Sequence, residues 1–225
     1  MKKRLALKQP KRPKRRFSPA GADQSAPRQL LAAARGLFAR KGLSGTSIRD
    51  IAEAAKLNSS LISYYFDSKE GLYRKCIEEI AASSLEMTER VLQPANNEAE
   101  FRVRLEMFLD GIFQLFLDDR DTGLILIREY DRLHSPAADI FRSSFLKIFN
   151  RIVEFFGTAQ DNGLIDKNKD TFTLASLLFG CVTSQIRMDH LQETAYKKSL
   201  RDPKEKRKVE NHIVDLFAIP PKNKK

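Results

Sequence analysis

The chain has 225 residues, 42% of them hydrophobic, and a formal net charge of +11. This length and apolar content allow a buried core in one or two domains. No apolar run approaches the ~18 residues that cross a membrane, and no Cys/His cluster has metal-ligand spacing. The basic N-terminus lacks the apolar segment of a secretory signal, and the distant Cys76 and Cys181 favour reduced thiols. We therefore expect a cytoplasmic protein with no membrane segment, metal or cofactor.

The positive charge is unevenly distributed along the chain. Residues 1–20 contain nine Lys/Arg and no acid, and residues 197–225 contain ten Lys/Arg against four acids. Residues 26–75 carry a further net charge of +5, whereas residues 76–196 carry −8. The basic ends and residues 26–75 thus favour a polyanionic partner, which residues 76–196 do not.

The first 25 residues are poor in apolar side chains and contain Pro10, Pro13, Pro19 and Gly21 among their charges. Such a composition is typical of a disordered arm. The arm would add phosphate contacts or reach a minor groove if it binds DNA. It would otherwise be a solubilising tail, and the sequence leaves both interpretations open.

Two short helical patterns follow the arm. The first begins at Ala26, carries one apolar stripe and ends at Lys41, with Gly42 as its left-handed C-cap. The second begins at Ser47, and Asp50 stands three residues further on, at the spacing of a capping box. These signals predict two helices joined by a short loop.

A third, very short helix is predicted after a turn at Lys56-Leu57, with Asn58 as its N-cap. A helix this short cannot stand alone in water, because nucleation is costly and ~12 residues are needed for marginal stability. It must pack on a partner, here through Ile62 and Phe66, and leave its other face free. That is the geometry of a helix-turn-helix, which places its second helix in the major groove of DNA.

The rest of the chain repeats amphipathic helical patterns. A long helix capped by Asp67 and Glu70 is expected to run towards Leu92. No strand-type alternation of useful length follows, so the whole chain is predicted to be all-α with about nine helices. The later helical stripes begin near Phe101, Gly123, Phe141, Phe172 and Lys204.

The blocks LFARKG, TSIRDIAEAA and YYFDSKEGLY occur in that order within residues 29–77. Together, at this spacing, they resemble the DNA-binding domain of the TetR/AcrR family of transcriptional regulators. The rest of the chain is similar to the family in plan only. That plan is an all-helical domain that binds a small ligand and dimerises through its last two helices.

The resemblance implies an N-terminal three-helix DNA-binding domain that contains the helix-turn-helix, followed by a larger helical ligand-binding and dimerisation domain. We therefore divide the chain into four parts. They are a disordered basic arm at 1–25, the DNA-binding domain at 26–72, the ligand-binding and dimerisation domain at 73–219, and a basic tail at 220–225.

The resemblance assigns DNA contacts to ten residues. The start of the second helix would offer hydroxyl and N–H groups to a phosphate, the third helix would face the groove, and the start of the fourth would hold the DNA backbone. The serines could instead be solvated positions, and one of the two tyrosines could pack in the domain's own core. The ten are Thr46, Ser47, Asn58, Ser59, Ser60, Leu61, Ser63, Tyr64, Tyr65 and Lys69.

Two positions depart from the family's usual pattern. Lys56 stands where the turn usually has Gly, and a left-handed conformation there would cost Lys ~1 kcal/mol relative to Gly. Ser59 and Ser60 replace a frequent Lys-Gly pair. Because the third helix has no Arg to pair with guanine, phosphate contacts and DNA shape are expected to carry much of the affinity.

Eleven of the fifteen phenylalanines lie between Phe101 and Phe179. A Phe stripe at helical spacing is usually core, but in the resembling family these helices also enclose a ligand cavity. The negative charge of 76–196 hints at a cationic lipophilic ligand, although surface acids would explain that charge equally well. Our cavity candidates are Phe108, Phe113, Phe116, Ile127, Phe145, Phe149 and Phe179.

Arg128 and Glu129 lie within an otherwise apolar helix. We expect them to form a structural ion pair or to lie at the surface, rather than to clamp a ligand. The helix with Gly180 and Ser184 is apolar beyond what one side needs. It favours a two-fold, four-helix dimer interface with the last helix, and a helix buried inside its own subunit is the alternative.

These observations predict a homodimeric DNA-binding transcriptional regulator, a repressor released from a palindromic operator by a small hydrophobic ligand. Its partners would be double-stranded DNA, a second copy of the chain and the ligand. The alternative is a DNA-bound scaffold or regulator of the same fold that responds to a protein partner and has no small-molecule ligand. An enzyme is not expected, because the chain lacks a nucleophile elbow, a phosphate-binding Gly loop and a plausible Cys/His pair.

Overall fold

The computed structural model of the chain describes residues 25–118, 120–130, 132 and 134–218. Nearly all of the predicted basic arm and the whole predicted basic tail lie outside these residues. Within the described part all regular structure is helical, in nine helices, which confirms the predicted fold class. The helices are α1 (Ala26–Lys41), α2 (Ile48–Ala55), α3 (Ser60–Phe66), α4 (Lys69–Val91), α5 (Glu98–Asp118), α6 (Arg120–Tyr130), α7 (Ala138–Asp161), α8 (Thr171–Tyr196) and α9 (Pro203–Phe217).

The boundaries of α1 and α2 follow from local capping signals. Gly42 closes α1 with a φ of 72°, and its N–H donates to the carbonyl oxygen of Phe38. The predicted capping box opens α2. The N–H of Asp50 donates to Ser47 Oγ at 3.1 Å, and the N–H of Ser47 donates to Asp50 Oδ2 at 3.2 Å.

The turn between α2 and α3 has the predicted strained residue. Lys56 is left-handed, with φ 55° and ψ 38°. After it, Asn58 Oδ1 accepts the N–H of Ser60 at 2.9 Å. Asn58 therefore satisfies one of the free N–H groups at the start of α3, although the helical residues begin only at Ser60.

The start of α4 differs from the prediction. Ser68 is the N-cap in place of Asp67, and Ser68 Oγ accepts the N–H of Gly71 at 2.9 Å. Asp67 instead follows the last residue of α3 with a φ of 64°. Because an N-cap residue takes an extended backbone, the sharp turn from α3 to α4 leaves that role to Ser68. Glu70 remains in the first turn, where a carboxylate suits the helix dipole.

Two hydrophobic clusters hold the helices together. The head cluster contains the buried apolar residues of α1 to α3 and of the first half of α4, together with Ile125 and Ala137. The body cluster joins the end of α4 to α5, α7, α8 and α9, and it includes the stacked rings of Phe101 and Phe155, with centroids 5.2 Å apart. Helix α6 thus contributes to the core of the head, and the predicted boundary at residue 72 stays a prediction.

The helix expected to stop at Gly157 or Gly163 runs through Gly157. It ends at Asp161, two residues before Gly163, which adopts a φ of 71°. A glycine inside a helix weakens it without ending it, whereas a left-handed residue cannot continue it. Among the described residues, none of these helices combines the length and apolar character needed to cross a bilayer.

Two left-handed lysines allow a test of backbone strain. Lys197, the C-cap of α8, has φ 56° and ψ 33°, which matches Lys56 closely. We expect Lys56→Gly and Lys197→Gly each to raise the free energy of unfolding by about 1 kcal/mol, because Gly adopts this conformation without a Cβ clash. Urea denaturation measures the change.

The matched control is Lys147→Gly, at an exposed position inside α7. It should lower the free energy of unfolding by about 1 kcal/mol, because Gly is a poor helix former. A loss of stability for Lys56→Gly beside a gain for Lys197→Gly would contradict the strain at Lys56.

Candidate nucleic-acid interface and adjoining cavity

One face of α3 is open to solvent. Ser59, Ser60 and Ser63 are exposed, and Tyr64 keeps 56% of its surface accessible. The opposite face is fixed by Ile62, which is completely buried in the head cluster. The helix therefore presents a row of hydroxyls and one aromatic ring outward from a firmly anchored base.

The other predicted residues of α3 differ in their placement. Leu61 and Tyr65 are half-buried and pack against the head cluster. The ring of Tyr65 meets that of Tyr64 edge-on, with centroids 4.8 Å apart. Of the two tyrosines, Tyr64 is thus the one available to a partner, and Tyr65 supports it from behind. Asn58, just before the helix, is exposed.

A groove of about 480 Å³ lies between the first turns of α2 and α4 and the middle of α3. Its lining includes Ser47, Ser63 and Lys69, three predicted contact residues that the fold brings together. The N-termini of two helices line it, and each carries partial positive charge. N-terminal N–H groups and a positive dipole favour a phosphate, so the groove has the electrostatic character of a phosphate-binding surface.

Thr46 does not belong to this surface. Only 2% of the residue is exposed, and its hydroxyl lies 2.7 Å from the carbonyl oxygen of Gly42 and 3.3 Å from that of Leu37. The prediction that this hydroxyl contacts a phosphate is wrong, because the side chain is buried and already ties the α1–α2 loop to the end of α1.

Lys69 has an internal task that the sequence did not indicate. Its Nζ donates to the carbonyl oxygens of Leu43 at 2.8 Å and Thr46 at 2.9 Å. Two of the three ammonium protons therefore hold the α1–α2 loop against the start of α4. The third proton and the positive charge stay beside the groove.

Arg49 is a candidate that the sequence reasoning missed. It is exposed in the first turn of α2 and lines the same groove as Ser47. A cation at a helix N-terminus opposes the helix dipole, so its position there suggests an external anion. The capping box at Ser47 and Asp50, which located the start of α2, could have revealed this signal.

An apolar cavity lies behind the head, where α4 to α8 meet. Its inner chamber has a volume of about 120 Å³, and its wall includes Leu126, Tyr130 and Val182. An outer chamber of about 260 Å³ adjoins it between the ends of α5 and α8 and the loop before α9. The two chambers share Phe116 and Ile186, together with Arg187. No three His, Cys, Asp or Glu side chains of the described chain come together as metal ligands would.

The predicted cavity residues divide into three groups. Phe116, Phe145 and Phe179 line the inner chamber, and Phe113 and Phe116 line the outer one. The side chain of Ile127 lies outside the described residues.

Phe108 and Phe149 are the two corrections among the cavity predictions. They line neither chamber, because they lie on faces of α5 and α7 that are buried in the body cluster, with 3% and 8% of their surface exposed. The rings of Phe145 and Phe149 are only 5.9 Å apart, so neighbouring positions of one stripe separate into chamber wall and core.

Arg128 and Glu129 make separate contacts that tie α6 to the head. The guanidinium of Arg128 donates to the carbonyl oxygen of Phe38 at 3.0 Å, near the end of α1. The carboxylate of Glu129, which is 1% exposed, accepts the hydroxyl of Tyr73 in α4 at 2.6 Å. These contacts replace the mutual ion pair or surface positions expected from the sequence.

Tyr73 is well suited to be the donor in this contact. Burial and the neighbouring Glu129 carboxylate both raise the pKa of Tyr73 far above its ordinary value. The phenol therefore stays protonated at any physiological pH, and its O–H remains available to the buried carboxylate. The hydrogen bond is charge-assisted, which makes it stronger than a neutral one.

Removing that donor tests the connection between α4 and α6. We expect Tyr73→Phe to lower the free energy of unfolding by about 1–3 kcal/mol, since the buried Glu129 loses a hydrogen-bond partner. Tyr196→Phe is the control, because Tyr196 is 72% exposed, and it should change stability by less than about 0.5 kcal/mol. Equal stabilities in chemical denaturation would show that the contact is dispensable.

Comparison with known proteins places these features. Residues 30–76 match the family model described as bacterial regulatory proteins, tetR family. The chain is 32% identical over 123 residues to the HTH-type transcriptional dual regulator CecR of Shigella flexneri, covering 51% of this chain and 55% of that one. It is 36% identical over 78 residues to the HTH-type transcriptional repressor NicS of Pseudomonas putida, covering 35% and 31%. The chain thus spans about a third to about half of the length of these curated relatives.

A solved structure extends the likeness to most of the chain. The complex of SmeT, a repressor from Stenotrophomonas maltophilia, with triclosan aligns with a TM-score of 0.70. The alignment covers 88% of this chain and 94% of that one, at 16% identity. At this identity the comparison shows a shared fold.

Proposed function

The chain belongs to the TetR family of transcriptional regulators, and we propose that it is a homodimeric repressor that leaves its operator when a small hydrophobic ligand enters the inner chamber. The relatives and structural neighbours are regulators and not enzymes. One observation carries the proposal. The exposed face of α3 and its phosphate-type groove are joined through α6 to an apolar chamber.

The exposed side of α3 would enter the major groove of DNA. Its serines and Tyr64 would meet base edges and phosphates, while Ser47, Arg49 and Lys69 would hold the DNA backbone on the flank. Short hydroxyls read bases weakly compared with a bidentate Arg. Much of the affinity would therefore come from phosphate contacts, which neutralise charge and depend on salt.

The apolar faces of α8 and α9 support a homodimer. Leu177 and Leu191 in α8 and Leu216 in α9 have more than half of their surface exposed. They border or adjoin a wide groove of about 1040 Å³ between the two helices. A second copy would cover these side chains in a two-fold four-helix interface, and would place two α3 helices in successive major grooves, ~34–36 Å apart.

Small residues would let the two copies approach closely. Ser176, Gly180 and Ser184 stand four residues apart along α8, and all three are exposed and line the groove beside α9. Residues at this spacing share one face of a helix. This face is thus flat enough for the backbone of a partner helix.

Helix α6 would transmit ligand binding to the head. Leu126 and Tyr130 line the inner chamber, whereas Ile125 and Arg128 contact the head. A ligand that displaces the chamber side of α6 would therefore shift α1 and the reading helix attached to it. By linkage, a ligand that prefers the shifted state weakens DNA binding, typically by ~1–3 kcal/mol. The SmeT–triclosan complex supports a hydrophobic ligand for this fold.

The small inner chamber keeps a second function open. Its volume of about 120 Å³ lies below the ~300 Å³ at which typical ligand pockets begin. A DNA-bound regulator of this fold that answers to a protein partner would need no larger cavity. Direct binding of a small hydrophobic molecule to the chain would exclude this alternative as the full account.

A DNA titration tests the proposed function. We expect the chain to bind fragments selected from genomic DNA that share a palindrome, in preference to random DNA at physiological salt. Arg49→Ala should weaken that binding across all sequences and reduce the salt slope by about one, since it removes one phosphate contact.

Arg142→Ala, at an exposed position in α7, is the control and should bind like the unmodified chain. Fluorescence anisotropy at several salt concentrations gives both affinities and slopes. Indifference between palindromic and random DNA would refute operator recognition.

The dimer interface has an unusually clean test. A Cβ added at Gly180 would meet no atom within 4 Å in the isolated chain, and the same holds for Gly157 in α7. Leu is also a better helix former than Gly, so neither Gly180→Leu nor Gly157→Leu should harm the fold. We expect Gly180→Leu to yield monomers, because the larger side chain blocks close helix approach.

Sedimentation velocity distinguishes the two variants. Gly157→Leu should remain dimeric, and Gly180→Leu should lose most of its affinity for a palindromic site along with its partner. A dimeric Gly180→Leu chain would place the interface elsewhere.

A further inference from the structure

The inner chamber is apolar except at one point of its wall. Among the described residues that line it, Arg187 is the one with a formal charge. Its guanidinium carbon lies 5.8 Å from the centroid of the Tyr130 ring, in cation–π geometry. Arg187 also lines the outer chamber, so the charge stands where the two chambers meet.

Other polar groups in the inner chamber are already engaged. The hydroxyl of Thr183, one turn before Arg187 in α8, donates to the carbonyl oxygen of Phe179 at 2.9 Å. The hydroxyl of Ser84 in α4 donates to the carbonyl oxygen of Ile80 at 2.9 Å. Hydroxyls that satisfy their own helix in this way contribute little to ligand recognition, which leaves the guanidinium as the principal polar feature.

We propose that the ligand is a hydrophobic anion whose acidic group pairs with Arg187 while its apolar part fills the inner chamber. This inference rests on the proposed function and names its class of ligand. A guanidinium offers a planar fork of donors that matches a carboxylate, and such charge-assisted hydrogen bonds are roughly twice as strong as neutral ones.

The outer chamber provides room for the acidic group. Asp189, which lines it, is held by the loop before α9, since its carboxylate accepts the N–H of Leu200 at 2.6 Å and the hydroxyl of Ser199 at 3.3 Å. Arg201 lines the same chamber and adds positive charge. An anion that projects from the inner chamber would thus emerge between two arginines.

A cationic ligand would face the reverse situation. Its charge would lose water among apolar rings, near the like charge of Arg187 and with no acid in the described wall of the inner chamber to compensate. Both effects disfavour the charged form. The acids of residues 76–196 that hinted at a cationic ligand include Glu86, Glu89 and Glu98, which are exposed surface positions.

A charge series of equal chain length tests this assignment. Octanoate, octan-1-ol and octylammonium are titrated separately into the full chain by isothermal calorimetry. Octanoate should bind about tenfold or more tightly than octan-1-ol, in line with the ~1.5–3 kcal/mol of a hydrogen bond to a charged group. Octylammonium should bind most weakly.

Variants assign the preference to one residue. Arg187→Leu should abolish the advantage of octanoate over octan-1-ol while octan-1-ol still binds, and Arg187→Lys should keep part of it. Arg142→Leu in α7 is the matched control and should behave like the unmodified chain. A preference for octan-1-ol or octylammonium, an unchanged preference in Arg187→Leu, or no binding by any of the three overturns the assignment.

DNA release is measured separately, so that the two proposals can fail independently. Octanoate should weaken operator binding by the unmodified chain, and not by Arg187→Leu. Calorimetric binding of octanoate without DNA release would support the ligand class and refute the release mechanism. Release of the operator by octan-1-ol or octylammonium, with octanoate inactive, would support the mechanism and overturn the ligand class.

Discussion

The hydrogen bonds from Arg128 to the end of α1 are the constraint on which the rest of the structure depends. The last carbonyl groups of a helix have no partner within it, and the guanidinium reaches those of Phe38 at 3.0 Å and Ala39 at 2.5 Å. Together with buried Ile125 and the Tyr73–Glu129 contact, they make α6 part of the head. Since the other side of α6 is chamber wall, the head cannot ignore what happens in the cavity.

The same economy explains how a seven-residue α3 can serve as a reading surface. It is far shorter than the ~12 residues of a marginally stable free helix, so its orientation depends on its supports. Ile62 anchors it in the head cluster, Asn58 caps its start, and Lys69 fixes the α1–α2 loop beside it. Thr46 closes that loop from within. Residues that resemble DNA contacts in a motif are thus partly the frame that holds the contacts in place.

Which features the sequence predicted depends on the distance over which they are determined. The capping box at Ser47, the cap at Asn58 and the strain at Lys56 arise within a few residues, and the pattern located all three. The partners of Lys69 and Arg128 lie 23 to 90 residues away, so no local pattern indicates them. Periodicity placed the phenylalanines on helix faces. It could not distinguish a face that borders the chamber from one in the core, because both are apolar.

Charge shows the same separation of scales. The acids of residues 76–196 lie largely at the surface, where water and salt screen them beyond ~8–10 Å, so they say little about the cavity. Their field would instead discourage DNA from lying along the body and leave it to the basic head. Arg187 acts at the meeting point of two chambers with an apolar wall, where a lower effective dielectric makes one charge count for more. Net charge and ligand charge are therefore set by different residues, and they can have opposite signs within one domain.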